Sequence, residues 1–392
     1  MSHLRDIPPP ARWIDSVLAD GLRIPPSPPL VGVLTGEGIG PEVIANAIEV
    51  LHAVRGVTGC AVSLEYGAPI GRDAERGCGK PLSDEVITFC RDIFDRGGAI
   101  LNGPGGGRYV YDLRRQFDLF CKLSPLKVFP ELADAIRLKP EQVRDIDILM
   151  VRENAAGLYQ GRWRDHHLDA GRVAEHSFSY SEAQVRRILG PAARLAKTRR
   201  GHLTVVVKEA GVPGISGLWR ECALDVCARL GLACALLDID HIAYRLIQHP
   251  REFDVVVAPN LFGDILSDLG GVLLGSRGLC FAGSFSETGA AVYQTNHGAA
   301  YDLAGKDLAN PVGQIFSLAM MLRESFGLAE EAALIEQAVA RVWREGWRTA
   351  DVAGMESRII GTREMGRRIA EAMTQIPRIL PALRPEMPAG RI

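Results

Sequence analysis

From Leu30 onward, short runs of β-branched and other apolar residues alternate with stretches of helical period. That alternation restricts the chain to an α/β fold with a largely parallel sheet. The runs include Leu30–Leu34, 146–151, Leu203–Val207, 233–237 and Val255–Ala258, and each is followed by residues that carry chemistry. The first leads into Gly36-Glu-Gly-Ile-Gly-Pro-Glu42, the second into Arg152 and Glu153, and the third into Lys208. The fourth precedes Asp238 and Asp240, and the fifth precedes Asn260, Asp264 and Asp268. Ligands of open α/β sheets bind beyond the carboxyl ends of strands. Charges of both signs in those positions point to one site built for a metal and a polyanionic substrate. Helix N-caps explain some of them, but a lysine and an arginine are poor caps.

Asp264 and Asp268 carry the sharpest local signal. Four-residue spacing on a helix puts both carboxylates on one face, where like charges repel unless a cation sits between them. Magnesium and manganese take oxygen ligands and often need only a couple of carboxylates plus substrate. A solvated helix start, where aspartates favour the positive end of the dipole, is the alternative reading.

The 392 residues suffice for two or three domains, and 47% apolar with 23% charged residues is an ordinary globular balance. A net charge of -2 recommends neither nucleic acid nor an anionic membrane as partner. No stretch reaches the roughly 18 consecutive apolar residues of a membrane span, and the N-terminus has no apolar signal core. The eight cysteines lack paired metal-type spacing and read as reduced thiols of a cytoplasmic protein. Residues 1–29 read as a proline-rich extension, with Trp13, Ile14, Val17 and Leu18 on one face of a short helical stretch expected to pack on the surface. Gly36-x-Gly-x-Gly is not the dinucleotide fingerprint, and Gly103-Pro-Gly-Gly-Gly107 reads equally as an anion loop or a turn.

Several blocks, in order along the chain, resemble the isocitrate/isopropylmalate dehydrogenase family, the β-decarboxylating dehydrogenases. They are residues 36–43, 113–120, 151–154 with 157–159, 260–268, 297–311 and 361–366. The resemblance implies an isopropylmalate dehydrogenase-like two-domain fold, not a Rossmann fold, with one sheet spanning both domains. A large cofactor-binding domain would comprise 30–119 plus 276–392, and a small dimerisation and substrate domain 120–275. It implies a homodimer with shared active sites, in which Lys208 and Asp240 reach the neighbouring site.

The implied reaction is NAD-dependent, Mg²⁺- or Mn²⁺-dependent oxidative decarboxylation of a hydroxy-di- or tricarboxylate. By the resemblance, Asp240, Asp264 and Asp268 would hold the metal, Lys208 would assist deprotonation of the hydroxyl, and Tyr159 would protonate the product carbon. Arg114 and Arg152 match carboxylate clamps, a task suited to a guanidinium fork. His297, Gly298 and Asn310 would line the adenine pocket, and Asp302 at the adenosine ribose goes with NAD rather than NADP.

The chain departs from the pattern at the substrate end. Ser124 stands where a third substrate arginine is expected, Lys122 replaces an asparagine nearby, and Arg108 sits in the loop that sets substrate choice. Either cation is a candidate for the missing charge. Gly211 replaces an asparagine near the nicotinamide end, and Arg108, Val110 and Tyr111 match neither the isopropylmalate nor the isocitrate pattern. Two readings follow: an active dehydrogenase with a shifted substrate, or a regulatory or binding subunit without turnover. The presence of Tyr159, Lys208 and all three aspartates favours the enzyme.

Overall fold

The structure is a computed structural model and describes residues 12–18 and 25–377. Ten strands form one sheet: β1 (Leu30–Leu34), β2 (Ser63–Tyr66), β3 (Ala99–Asn102), β4 (Cys121–Lys127), β5 (Asp147–Glu153), β8 (Leu203–Val207), β9 (Cys234–Asp238), β10 (Val255–Ala258), β11 (Phe281–Phe285) and β12 (Ala291–Thr295). Between β5 and β8 the chain forms an antiparallel hairpin, β6 (Arg162–Leu168) with β7 (Gly171–Ser177), whose residues are mostly exposed. The order across the main sheet is β2-β1-β3-β12-β11-β4-β5-β10-β8-β9.

Two parallel wings make up this sheet. β2, β1, β3 and β12 run parallel to one another, as do β5, β10, β8 and β9. Between them β11 and β4 are antiparallel to both of their neighbours, so the wings run in opposite directions. The all-buried β1, β3, β8 and β10 are the apolar runs expected of strands covered on both faces. β4 has no such run, because its sequence places Lys122 and Ser124 in the alternation. A largely parallel sheet therefore becomes a mixed one at its centre, where the sequence pattern is weakest.

Helices pack on the sheet closely enough to need missing side chains. In the helix Asn260–Leu274, a Cβ at Gly270 would lie 2.4 Å from Leu126 of β4, and one at Gly263 would lie 2.8 Å from Arg152 of β5. These glycines bring the helix start, with its two aspartates, down onto the end of β5.

The described part of the N-terminal segment is docked rather than laid on the surface. Trp13–Ser16 is a 3-10 turn, with Ile14 1% and Val17 2% exposed. The Trp13 and Ile14 N–H groups donate to Glu324, at 2.5 and 3.3 Å, and Arg194 donates to the Ser16 carbonyl. Burial is the main reason that the Glu324 carboxyl is raised to about 7, although both backbone donors oppose it. The rest of residues 1–29 up to Ile24 falls mostly outside the described residues. All eight cysteines are free, and among the described residues no helix is long and apolar enough to cross a membrane.

Candidate active site

The site grows from the carboxyl end of β5. Arg152 is 2% exposed, and its Nε and Nη2 donate to Asn260 Oδ1 at 3.1 and 2.8 Å. Its Nη1 donates to Asp264, one helical turn after Asn260. Asn260 is itself fixed: its N–H donates to Tyr180 Oη at 2.9 Å and its Nδ2 to the Ala156 carbonyl at 2.7 Å. A polar residue at the first turn of the helix thus sets the guanidinium plane, a role that the sequence reading did not assign to Asn260.

Tyr159 reaches the same aspartate from the opposite side, its hydroxyl donating to Asp264 Oδ2 at 2.8 Å. It lies in the 3-10 turn Leu158–Gln160, entered through Gly157 at φ 74, where a Cβ would meet Tyr180 Oη at 2.1 Å. Only glycine fits such a backbone at that separation. The Tyr159 ring packs edge-on against Tyr111 at 5.1 Å, and Gln160 Nε2 holds the Tyr111 carbonyl.

Three cations border this centre. Arg114 is 6% exposed, on the helix Tyr109–Gln116, and among the described residues no carboxylate pairs with it. Lys122 is 3% exposed and stands directly opposite Arg152 in the β4–β5 register. Burial, and then the charge of Arg152, lowers the Arg114 guanidinium from its ordinary value. Burial, followed by Arg114 and Arg152, pushes the Lys122 ammonium well below its own. Burial works to raise Asp264, but Arg152, Lys122, the Tyr159 hydroxyl and Arg114 outweigh it and hold the carboxyl below the usual range. Tyr159 is pushed far above the ordinary phenol value, by burial first and by Asp264 next, so it keeps its proton at neutral pH. Ser124 is buried beside Lys122 on the same face of β4, and its hydroxyl finds no partner.

The predicted metal residues divide into two groups. Asp264 and Asp268 share the helix face, and Asp268 accepts from Arg277 at 2.7 Å. Burial raises the Asp268 carboxyl; Arg277 opposes that, and the charge of Asp264 adds to it. Asp240 lies elsewhere, beyond β9, where it is 70% exposed and accepts from Lys208 Nζ at 2.6 Å. Asp238 accepts from the same ammonium at 3.3 Å. Among the described residues no group of three or more His, Cys, Asp or Glu side chains could hold a metal within one chain. Asp264 and Asp268 alone, two oxygen donors on one face with a raised, repelled carboxyl, still fit a magnesium-type ion, which completes its shell with water and ligand.

Opposite them, the β1 wing builds a cradle of loops. Buried Glu37 accepts the Arg72 N–H at 2.6 Å and the Gly106 N–H at 2.9 Å. The Ile39 N–H donates to the Ala299 carbonyl at 2.9 Å, and a Cβ at Gly38 would lie 2.0 Å from that oxygen. Residues 103–107 are therefore a pinned turn rather than a free anion loop. The predicted cofactor residues follow β12 in the same cradle: Gly298 and Asp302 are exposed, while Asn310 donates to Asp351 at 3.1 Å and accepts the Val312 N–H at 3.0 Å, at the start of the next helix. His297 is lowered, chiefly by burial, and its Nδ1 lies 3.0 Å from the Gly298 carbonyl. Arg108, by contrast with Lys122, is 38% exposed at its side chain, lies over the Tyr111 and Trp163 rings at 5.1 and 4.9 Å, and donates to the Tyr159 carbonyl at 3.2 Å.

The family model described as isocitrate/isopropylmalate dehydrogenase matches residues 30–369. The chain belongs to that family. A 3-isopropylmalate dehydrogenase of Methylococcus capsulatus is 37% identical over 362 residues, covering 88% of this chain and 99% of the relative. One of Geobacillus kaustophilus is 38% identical, covering 88% and 95%. The crystal structure of isocitrate dehydrogenase from Methylococcus capsulatus superposes with a TM-score of 0.78 at 29% identity, covering 88% of this chain and 99% of that one. The α/β fold with its large mixed sheet is that of the isocitrate/isopropylmalate dehydrogenases, and the chain is a member of a dehydrogenase family.

Proposed function

We propose that the protein is an NAD-dependent, Mg²⁺- or Mn²⁺-dependent dehydrogenase that oxidises and decarboxylates a 2-hydroxy acid bearing a carboxylate on C3. The observation that carries this reading is the shared Asp264, held by Arg152 on one side and by the Tyr159 hydroxyl on the other. Relatives named 3-isopropylmalate dehydrogenase at 37–38% identity support the reaction class. Asp264 and Asp268 would hold the divalent ion, which when bound would supply Lewis acidity to the ligand's oxygens, and bound NAD would supply the hydride acceptor.

The chain's own residues supply the rest. Arg114 and Arg152 hold carboxylates and fix the substrate's orientation, with water excluded by their burial. Tyr159, protonated at neutral pH, donates a proton to the carbon left when carbon dioxide departs. Lys208 assists deprotonation of the hydroxyl in a homodimer in which Lys208 and Asp240 serve the neighbouring protomer's site. That arrangement accounts for their exposure and for their distance from Asp264 along the sheet. In this reading the division into a 30–119 plus 276–392 domain and a 120–275 domain puts the cleft between the cradle and the cationic end of β5. Asp302 accepts from the ribose 2′-hydroxyl and repels a 2′-phosphate.

NADH formation on mixing the protein with NAD, Mn²⁺ and a panel of malate derivatives tests the proposal. Turnover of at least one member, with NADP a much poorer acceptor, is expected. Silence across the panel by the protein alone, with turnover only in a partner's presence, would establish the regulatory-subunit reading instead.

A further inference from the structure

We infer that Lys122 is a substrate-carboxylate contact, and that it makes the site select ligands with two or more carboxylates. The inference rests on the proposed hydroxy-acid chemistry for its ligand class, but on the geometry of β4 for its residue. Lys122 and Arg152 face each other across the β4–β5 pair, which places their Cβ atoms about 5 Å apart. Like charges directly opposite one another destabilise a sheet, and here both are at least nine-tenths buried. Arg114, a third buried cation, stands near both.

Against these three, Asp264 is the one carboxylate hydrogen-bonded to any of them among the described residues, and it is taken by Arg152. Asp268 is drawn to Arg277 instead. Nothing hydrogen-bonds the Lys122 ammonium among the described residues, and no carboxylate lies within ion-pair distance of it. One pair of residues along the same face, the Ser124 hydroxyl is also buried without a partner. A strand that carries an unpaired ammonium and an orphaned hydroxyl toward a common centre is costly as structure, since buried charges and polar groups require partners. An anionic ligand supplies them.

The competing cation does not share this position. Arg108 already has partners: Asp112 at 3.7 Å, the Tyr159 carbonyl, and the rings of Tyr111 and Trp163. Its charge is satisfied without a ligand and remains open to solvent. The ammonium also differs from a guanidinium in kind, being a compact point charge without a bidentate fork. Lys122 therefore tolerates more than one carboxylate orientation, while Arg114 and Arg152 fix the plane.

The test is calorimetric binding of malate and of 2-hydroxybutyrate, which lacks the second carboxylate, in the presence of Mn²⁺, together with thermal melts of the ligand-free proteins. Wild type should bind malate much more tightly than 2-hydroxybutyrate. Lys122→Met should lose about 10- to 100-fold of the malate affinity, the scale of a hydrogen bond to a charged group, with little change for the monocarboxylate. The ligand-free variant should melt at or above the wild-type temperature, because a buried repulsion has been removed, and Lys122→Arg should recover much of the malate preference. Unchanged malate affinity in Lys122→Met overturns the inference, as does a lower melting temperature with the ligand preference intact, or loss of preference in Arg108→Ala alone. Failure of both Lys122→Met and Lys122→Gln to fold would show a structural lysine and also overturn it. Since the readout is binding, a wild type that binds malate but forms NADH with no member of the malate panel sinks the proposed reaction and leaves Lys122 standing. Turnover of dicarboxylates that is indifferent to Lys122→Met sinks Lys122 alone.

Discussion

Two clusters of basic residues and aspartates lie at the carboxyl ends of β5 and β9, in one wing of the sheet, and they differ in burial and in the balance of charge. Around Arg152 the cations are buried, outnumber the carboxylates they touch and distort one another's protonation. Around Lys208 the one cation is fully partnered: Asp240 and Asp238 both accept from the ammonium, and the Asp240 side chain is 70% exposed. Lys208 is raised and Asp240 lowered, each chiefly by the hydrogen bond to the other. The first cluster has more cations than partners; the ammonium of the second is already paired within the chain. What separates them is position in the sheet, since β5 is central and β9 is an edge. Burial leaves the first set of charges short of partners, whereas exposure lets the second pair with one another and stay accessible to a neighbouring protomer.

The comparison breaks most visibly at Tyr159. Tyr159→Phe should lower decarboxylating turnover by about 10²–10⁴-fold while leaving substrate affinity near wild type. Steady-state kinetics with a binding measurement checks it, and an unchanged turnover number would remove the phenol from the reaction.

A second test sharpens the electrostatic half. Asp264→Asn leaves Arg152 buried without its carboxylate. It should destabilise the fold by about 1–3 kcal/mol, less than a fully enclosed pair because the carboxyl is 36% exposed. Asp264 is depressed when folded, so its stabilisation is present above the unfolded-state carboxylate value and disappears as the pH falls through the lower folded value. Denaturant unfolding in the acid range should show this loss in the wild type and its absence in the variant. Asp268 works with the opposite sign, being raised: its contribution at neutral pH is unfavourable, and the native state gains relative stability as the pH falls.

The smallest expected stability effect belongs to the exposed cluster. Asp240→Asn should melt with the wild type, because an exposed ion pair contributes little. Its turnover should nevertheless fall if Asp240 serves a neighbouring protomer. Mixing it with Asp264→Asn, itself inactive, should then restore part of the activity through hybrid dimers that contain one site free of both substitutions. No recovery in the mixture would place both aspartates in the same chain's site or exclude Asp240 from it.

Much of this is legible in the sequence alone. β-branched runs at Leu30–Leu34, Leu203–Val207 and Val255–Ala258 became strands at those positions, because full burial on two faces leaves a continuous apolar signature. The pairing of Asp264 with Asp268 followed from helical spacing alone. β4 was harder, because its central polar residues belong to the site and hide the strand. Local pattern assigns no role to Glu37 or Asn260; their roles depend on partners far away in sequence, Gly106 and Arg152.

Local pattern thus determined the fold class, the positions of β1, β5, β8, β9 and β10 and the residue types available for chemistry, since these depend on spacing along one segment. Tertiary structure decided which charges are buried and which are matched: Lys122 against Arg152, Lys208 against Asp240. Burial and cross-strand register are properties of segments brought together, and no single segment encodes them.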